Sequence, residues 1–308
     1  MADIVETHIS TYYHNFGKQT PFNVINATLQ DGALSFDTQP NHGIARPIRE
    51  KLQYHPREEA SIPIVSFDRL VDKYYLGRSV DKCRWNGQDC AFKRIEFDCD
   101  VKAIDREIQS RERLLGALDL HYKATGNANK IIEKRFNTVP ILAVVVTKQD
   151  NEDNEDNAVK GILMPLSGPS LESLALSKPT SSISASGSVD LGITGSQLQD
   201  LACGVFELVK AGVVHGDIND RNTLVEPGEA ATLDECQGTN SLVLVDFGEI
   251  APDYKNDAFA LGELFIWCKE RSYWGFKDQR KIEDAAQILK EDGDFGRVLS
   301  MLNDERDE

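Results

Sequence analysis

The sequence predicts an α+β fold in two parts, a strand-rich part followed by a mainly helical part. Three observations predict it. Runs of aromatic and β-branched residues between Asp72 and Phe97 are closed by an Asn86-Gly87 turn. An amphipathic helical pattern begins at Ser196. A segment after Asp257 is apolar almost all round, as a buried helix should be. Five strands with one helix, then helices carrying a small hairpin, give the segregated order of an α+β chain rather than an alternating one.

Each element has its own warrant, taken in chain order. Residues 1–66 form an N-terminal extension, in which "FNVINATLQDGALSFDT" reads as a hairpin about Asp31-Gly32 and "HGIARPIREKLQYHPREEASIP" as a charged, proline-bearing linker or lid. Residues 67–166 carry the strands "DKYYLGRSV", "DKCRWNG" and "DCAFKRIEF". The two-residue turn sets Cys83 directly opposite Cys90, packed as reduced apolar residues. A helix over Ala103–Leu118 follows, with Ile104, Ile108, Leu115 and Leu118 near helical spacing. "VPILAVVVTKQ" and "VKGILMPL" are two more strands, joined by the solvated acidic turn "DNEDNEDNA". Residues 167–308 open with the helical "SLESLAL" and a flexible Ser-rich insertion at about 177–195. The next helix places Leu198, Leu201, Ala202, Val205, Leu208 and Val209 on one face, with Ser196 as N-cap and Gly212 just past its end. "TLV" and "SLVLV" are short strands flanking an acidic loop.

A chain of 308 residues, 41% hydrophobic and 27% charged, can bury a sizeable core. Its formal charge of −16 repels phosphate backbones and anionic lipid headgroups, so neither nucleic acid nor a membrane surface is an expected partner. The longest apolar run, Val139–Val146, is the length of a strand and not of a membrane span. The start "MADIVETHIS" has no basic stretch ahead of an apolar one, and the six cysteines show no CxxC spacing. An intracellular protein, cytoplasmic or nuclear, is the expectation.

The chemistry is concentrated in "VVHGDINDRNTLV" and "LVDFGEI". Asp217 and Asn222 lie five apart on a tight loop after an apolar helix, and Asp246 ends an apolar strand 24 residues beyond Asn222. Two carboxylates and an amide so placed can hold a divalent cation and a hydroxyl nucleophile together. "HGDINDRN" and "DFG" resemble the HxDxxxxN and DFG elements of the protein-kinase-like superfamily. Further residues carry the resemblance: Ala91 and Lys93 in "CAFK", Glu107 in "DREIQSRERLL" with Glu112 as the second register, and Asp257 ahead of the buried helix.

That resemblance implies a bilobed kinase-like fold, a five-stranded antiparallel N-lobe with one helix and a shortened helical C-lobe. It implies ATP and Mg²⁺ as cofactors and a protein substrate as partner. Lys93 would contact the α- and β-phosphates with Glu107 orienting it, Asn222 and Asp246 would hold Mg²⁺, and Asp217 would accept the proton of the attacking hydroxyl. Gly77, Ser79 and Val80 stand for the nucleotide-covering loop, Ala91 for the adenine wall, and Leu163, Met164 and Leu166 for the hinge, after which Gly168 and Ser170 begin the second lobe. His215 is a packing residue of the loop, and Asp257 ties the buried helix to it.

Departures from the pattern define the rivals. "LGRSV" keeps one glycine of GxGxxG; "HGD" lacks the arginine that reads a phosphorylated loop; Asn219 stands where a lysine commonly reaches the γ-phosphate; nine residues separate Phe247 from Asp257, with no APE. Atypical compact kinases of the RIO-like and fungal kinase-like groups share such features. A small-molecule kinase of the aminoglycoside or choline type and a pseudokinase binding module are the alternatives.

Overall fold

The computed structural model describes residues 23–30, 33–40, 51–56, 62–118, 128–147, 158–177, 190–226, 240–247, 250 and 252–303. Its contacts divide the chain into Met1–Arg49 and Glu50–Glu308. In the first unit β1 (Asn23–Gln30) and β2 (Ala33–Pro40) pair antiparallel from Asn23↔Pro40 to Gln30↔Ala33, the expected hairpin. The acidic turn after Gln149 and the middle of the Ser-rich insertion lie outside the described residues.

The second unit is built on a six-stranded sheet of β3 (Ile64–Ser66), β4 (Val71–Gly77), β5 (Val80–Trp85), β6 (Gln88–Arg94), β7 (Ala143–Thr147) and β8 (Ala158–Pro165), in the order β3-β7-β8-β6-β5-β4. All neighbours are antiparallel except β3 with β7. The sheet thus has one strand more than the sequence predicts and is not wholly antiparallel. Three residues are too few to show an alternating pattern, and β3 is held from afar, by Val144 N–H donating to Pro63 O at 2.8 Å. Part of the supposed linker is likewise core: Tyr54 is buried and its hydroxyl accepts from Ile62 N at 2.9 Å.

The Asn86-Gly87 turn takes left-handed φ of 48° and 80°, the two-residue geometry that matches strand twist. It sets Cys83 opposite Cys90, both buried and both free thiols, and burial pushes the Cys83 thiol up to about 11. Strand alternation then divides the sheet into two faces. Phe92 and Leu163 join Cys83, Cys90, Ala143 and Val145 in one cluster, while Ile162, Val144 and Val146 join the helices in the other.

Helix α1 (Asp98–Ala117) begins five residues before the expected Ala103. Asp100 explains the start, since its Oδ2 accepts the Phe97 and Glu96 N–H groups at 2.8 and 2.9 Å, groups that the first turn would leave unpaired. A second helix, α2 (Ala128–Phe136), joins the expected one; its two buried positions, Ile132 and Phe136, are too few to read as a helical pattern.

The remainder comprises α3 (Leu171–Ser177), α4 (Gly195–Lys210), β9 (Thr223–Glu226), β10 (Ser241–Leu244), α5 (Asp257–Arg271), α6 (Phe276–Glu291) and α7 (Phe295–Asn303). Thr194, not Ser196, caps α4: Gln197 N donates to its Oγ1 at 3.3 Å and Thr194 N donates to Gln197 Oε1 at 2.8 Å, a reciprocal capping box. Gly212 ends the helix at a φ of 68°, as expected. Of the six residues predicted on its apolar face, Val209 in the last turn is exposed and the others are buried. Leu191 N donates to Arg271 O at 2.8 Å and Ile193 is buried, so the end of the Ser-rich stretch is packed and the insertion is shorter than 177–195.

Gly204 of α4 lies where a Cβ would come within 2.8 Å of Phe136 O, and Gly262 of α5 where one would come within 2.8 Å of Ala286 O. These close approaches seat α4 on α2 and α5 on α6. Buried Ile282, Leu289, Val298 and Leu302 in the C-terminal helices each contribute about 1.5–3 kcal/mol of transfer free energy. Among the described residues no helix is long and apolar enough to cross a membrane.

Candidate active site

Lys93 of β6 lies two residues after Ala91 and so on the same face of the sheet, and it meets groups from two other elements. Its Nζ donates to Glu107 Oε1 on α1 and, at 2.6 Å, to Asp246 Oδ1 just after β10. Glu107 is 3% exposed, whereas the Asp246 side chain is 42% exposed. Burial opposes charge on Lys93, but Glu107 and Asp246 more than offset it and hold the ammonium above its ordinary value. Burial, opposed by Lys93 and helped by the Asp246 charge, raises the Glu107 carboxyl to about 7. Two carboxylates thus share one ammonium.

The backbone that sets this geometry is specific. Asp246 adopts a left-handed φ of 64°, a conformation Asp tolerates better than most residues and one that turns the chain sharply after β10. Opposite Lys93 and Arg94, Gly161 of β8 leaves space that no other residue could: a Cβ there would lie 2.0 Å from Lys93 O. A glycine inside a strand run is the sequence signal for such an approach.

The loop from Val213 to Asn222 is a hydrogen-bonded knot. Asp257, 3% exposed at the start of α5, accepts His215 N at 2.8 Å on Oδ2 and Gly216 N at 3.0 Å on Oδ1. The Tyr254 hydroxyl also donates to Asp257 Oδ1, a partner with no signal in the local sequence pattern. His215 is fully buried, packs at a tilt against Phe247 with ring centroids 4.8 Å apart, and accepts Asp217 N on Nδ1, which leaves Nε2–H to donate to Val245 O at 3.1 Å. Burial lowers its pKa, so it is a neutral packing residue, as the sequence indicates.

Asp217 is half-buried. Asn222 Nδ2 donates to its Oδ2 at 2.7 Å, and Asn219 Nδ2 donates to its Oδ1 at 2.8 Å. Val245 N donates to Asn222 O at 2.9 Å, which sets the loop directly beside the segment bearing Asp246. Asn222 Oδ1 has no partner among the described residues.

The other predicted residues separate by face. Val80 pairs with Lys93 and Ala91 with Met164, so all share the face of the ammonium. Leu163 does not: it is fully buried in the cluster on the opposite face, because it alternates with Met164. Leu166 is half-buried just beyond β8. The following segment lies directly on β9, since a Cβ on Gly168 would come within 2.0 Å of Val225 O, and Ser170 bridges Leu224.

The expected nucleotide-covering loop is instead a two-residue turn. Gly77 pairs with Val80, Arg78 and Ser79 form the turn, and Ser79 rather than a glycine takes the left-handed φ, at 57°. The Ser79 side chain is buried and its hydroxyl donates to Glu96 at 3.2 Å and Asp100 at 3.4 Å. Its one proton is thus shared between two carboxylates, and at Gly77 a Cβ would meet open space.

Arg111 escaped the sequence reading. It is 4% exposed, one turn after Glu107; Nη2 donates to Asn129 Oδ1, while Nε and Nη1 have no partner among the described residues, and burial pulls its pKa down to about 9. With Glu107, Thr138, Met164, Asp246 and Phe247 it walls a cavity of about 10 Å³, room for one water-sized molecule. A buried guanidinium without a full set of acceptors is costly. Arg111→Met is expected to leave the unfolding free energy unchanged or raise it by about 1–3 kcal/mol. A loss beyond about 2 kcal/mol in urea denaturation would show that the charge stabilises the fold.

Lys93, Glu107, Asp217, Asn222 and Asp246 thus come together from β6, α1, the loop after α4 and the end of β10. The arrangement offers one ammonium, two hard-oxygen donors suited to a small divalent cation, and one oriented carboxylate. No protein-family model matches the chain, and no curated protein matches it.

Proposed function

We propose that the chain is an ATP-dependent, Mg²⁺-using phosphotransferase of the protein-kinase-like superfamily, with a bilobed fold, acting on a Ser or Thr hydroxyl of a protein. The observation that carries the proposal is the convergence of residues 93, 107 and 246: Lys93 donates to both Glu107 and Asp246 although the three lie on separate elements. Glu107 already supplies the buried ammonium with a counter-ion, so a second carboxylate on it, Asp246, which is 42% exposed, is not needed to satisfy the charge and stands where a ligand can reach it.

The donor set fits Mg²⁺. Asn222 keeps its Oδ1 free because its Nδ2 faces Asp217, and Asp246 is partly exposed. When bound, the ion supplies charge neutralisation at the phosphate oxygens. In this reading Lys93 exchanges Asp246 for the α- and β-phosphate oxygens, and Glu107 keeps it oriented. Asp217 accepts the hydroxyl proton as that oxygen forms its bond to the γ-phosphorus and the bond to the β-phosphate oxygen breaks. The nucleotide then leaves as ADP.

The test supplies ATP labelled at the γ-phosphate, Mg²⁺, a cell lysate and a metabolite pool, and follows the label. Label in protein is the expected result, and label in a metabolite would overturn the substrate class in favour of a small-molecule kinase. A binding module without transfer is the second reading, favoured by the Arg78-Ser79 turn and the engaged Ser79 hydroxyl, which leave no glycine-rich cover for phosphates. Asp246→Ala is expected to abolish the Mg²⁺-dependent rise in melting temperature given by ATP, an effect of about 2.7 kcal/mol at a hundredfold excess over Kd. An unchanged rise would remove Asp246 from the metal site.

A further inference from the structure

We infer that Asn219 is a positioning residue, one arm of a two-amide clamp that fixes the Asp217 carboxylate; the inference rests on the phosphotransferase reading and deepens it. Asn219 stands where kinases commonly carry a lysine, so the sequence alone suggests only a missing charge. The geometry gives the position a different task. Its Nδ2 donates to Asp217 Oδ1 at 2.8 Å and to Asp217 O at 3.2 Å. From the other side, Asn222 Nδ2 donates to Asp217 Oδ2 at 2.7 Å and to Asp217 O at 3.0 Å. Each carboxylate oxygen therefore has its own amide, and the plane of the carboxylate is set by two donors rather than one.

The clamp is itself anchored. Asn219 Oδ1 accepts Arg221 N at 2.9 Å and Asn222 N at 3.1 Å, and Thr223 Oγ1 donates to Asn219 O at 2.7 Å. The side chain thus performs two separable tasks: its oxygen caps the loop backbone, and its nitrogen orients Asp217. A lysine could not do the first, since an ammonium accepts nothing. Being neutral, the clamp brings no charge to a transferred phosphoryl group, which leaves that neutralisation to Lys93 and the metal. Orientation of a base that needs little chemical activation contributes through placement, and small misplacements are costly.

Two substitutions separate the tasks. Asn219→Ser keeps a short side-chain oxygen able to cap the loop but cannot reach Asp217. Asn219→Asp keeps the capping oxygen and sets a carboxylate oxygen against Asp217 Oδ1. Asn219→Ser is expected to preserve the melting temperature and the Kd for Mg-ATP while lowering kcat at least tenfold with KM for the acceptor unchanged; Asn219→Asp, which sets two carboxylates in contact, is expected to lower kcat at least as far. Asn219→Leu, which loses the cap as well, is expected to lower the melting temperature too. Parental kcat in both Asn219→Ser and Asn219→Asp would overturn the inference and leave the phosphotransferase reading standing. Crystal structures of the parent and Asn219→Ser decide the point even if the parent transfers no phosphate: Asp217 is expected in one orientation in the parent and turned or split in the variant. The same single orientation in both would overturn the clamp.

Discussion

For the phosphotransferase proposed here, replacing Asp217 by alanine is expected to lower phosphoryl transfer by about 10²–10⁴-fold, the usual contribution of a positioned proton acceptor, with Mg-ATP affinity essentially unchanged. The separation of effects follows from where the groups sit. Asp217 is held by amides from its own loop, whereas Asp246 accepts from the Lys93 ammonium itself. In the proposed reaction, loss of the first removes the group that takes the hydroxyl proton, and loss of the second removes one that would hold the nucleotide. Single-turnover transfer and equilibrium nucleotide binding, measured on the same variant, read the two separately. Transfer by Asp217→Ala at the parental rate would remove this carboxylate from the reaction and move the search for a base elsewhere.

Asp257→Ala is expected to be the most destabilising single change in the loop, by roughly 2–6 kcal/mol, because two buried backbone N–H groups would each lose their acceptor at about 1–3 kcal/mol. Those groups are His215 N and Gly216 N, bonded to different oxygens of one carboxylate. The Tyr254 hydroxyl, a third donor, would lose its partner too. Asp257→Asn retains one acceptor and turns an amide N–H₂ toward the other donor, so its cost should fall between those of the parent and the alanine variant. Urea denaturation checks the order. An alanine variant within about 0.5 kcal/mol of the parent would mean that solvent replaces the carboxylate freely, contrary to its burial.

How far the sequence reaches depends on the range of the interaction concerned. The Asn86-Gly87 turn, the Cys83↔Cys90 register and the Gly212 end of α4 are local, each specified by a few adjacent residues, and the structure agrees with the reading. The choice of Glu107 over Glu112 also agrees, as Glu107 pairs with Lys93 while Glu112 accepts from Tyr54 at 3.1 Å. What escaped was short or distant. β3 is three residues held by β7; α1 starts early because Asp100 reaches backwards; Leu163 faces away from the site because alternation gives adjacent residues opposite faces. The position of Ser79 in "LGRSV" implies a phosphate contact, and its hydroxyl faces two carboxylates 17 and 21 residues away.

By itself the sequence determined the kinds of element, their order, and which polar residues interrupt apolar runs, because backbone preference and hydrophobic periodicity act over a few residues. Only the tertiary structure decided that Lys93 meets Asp246, 153 residues on, that the Asp257 carboxylate fastens the Asp217 loop, and that Arg111 lies buried with two donors unpaired among the described residues. Side-chain charge and hydrogen bonding act through space at a few ångströms, and it is folding that sets those distances.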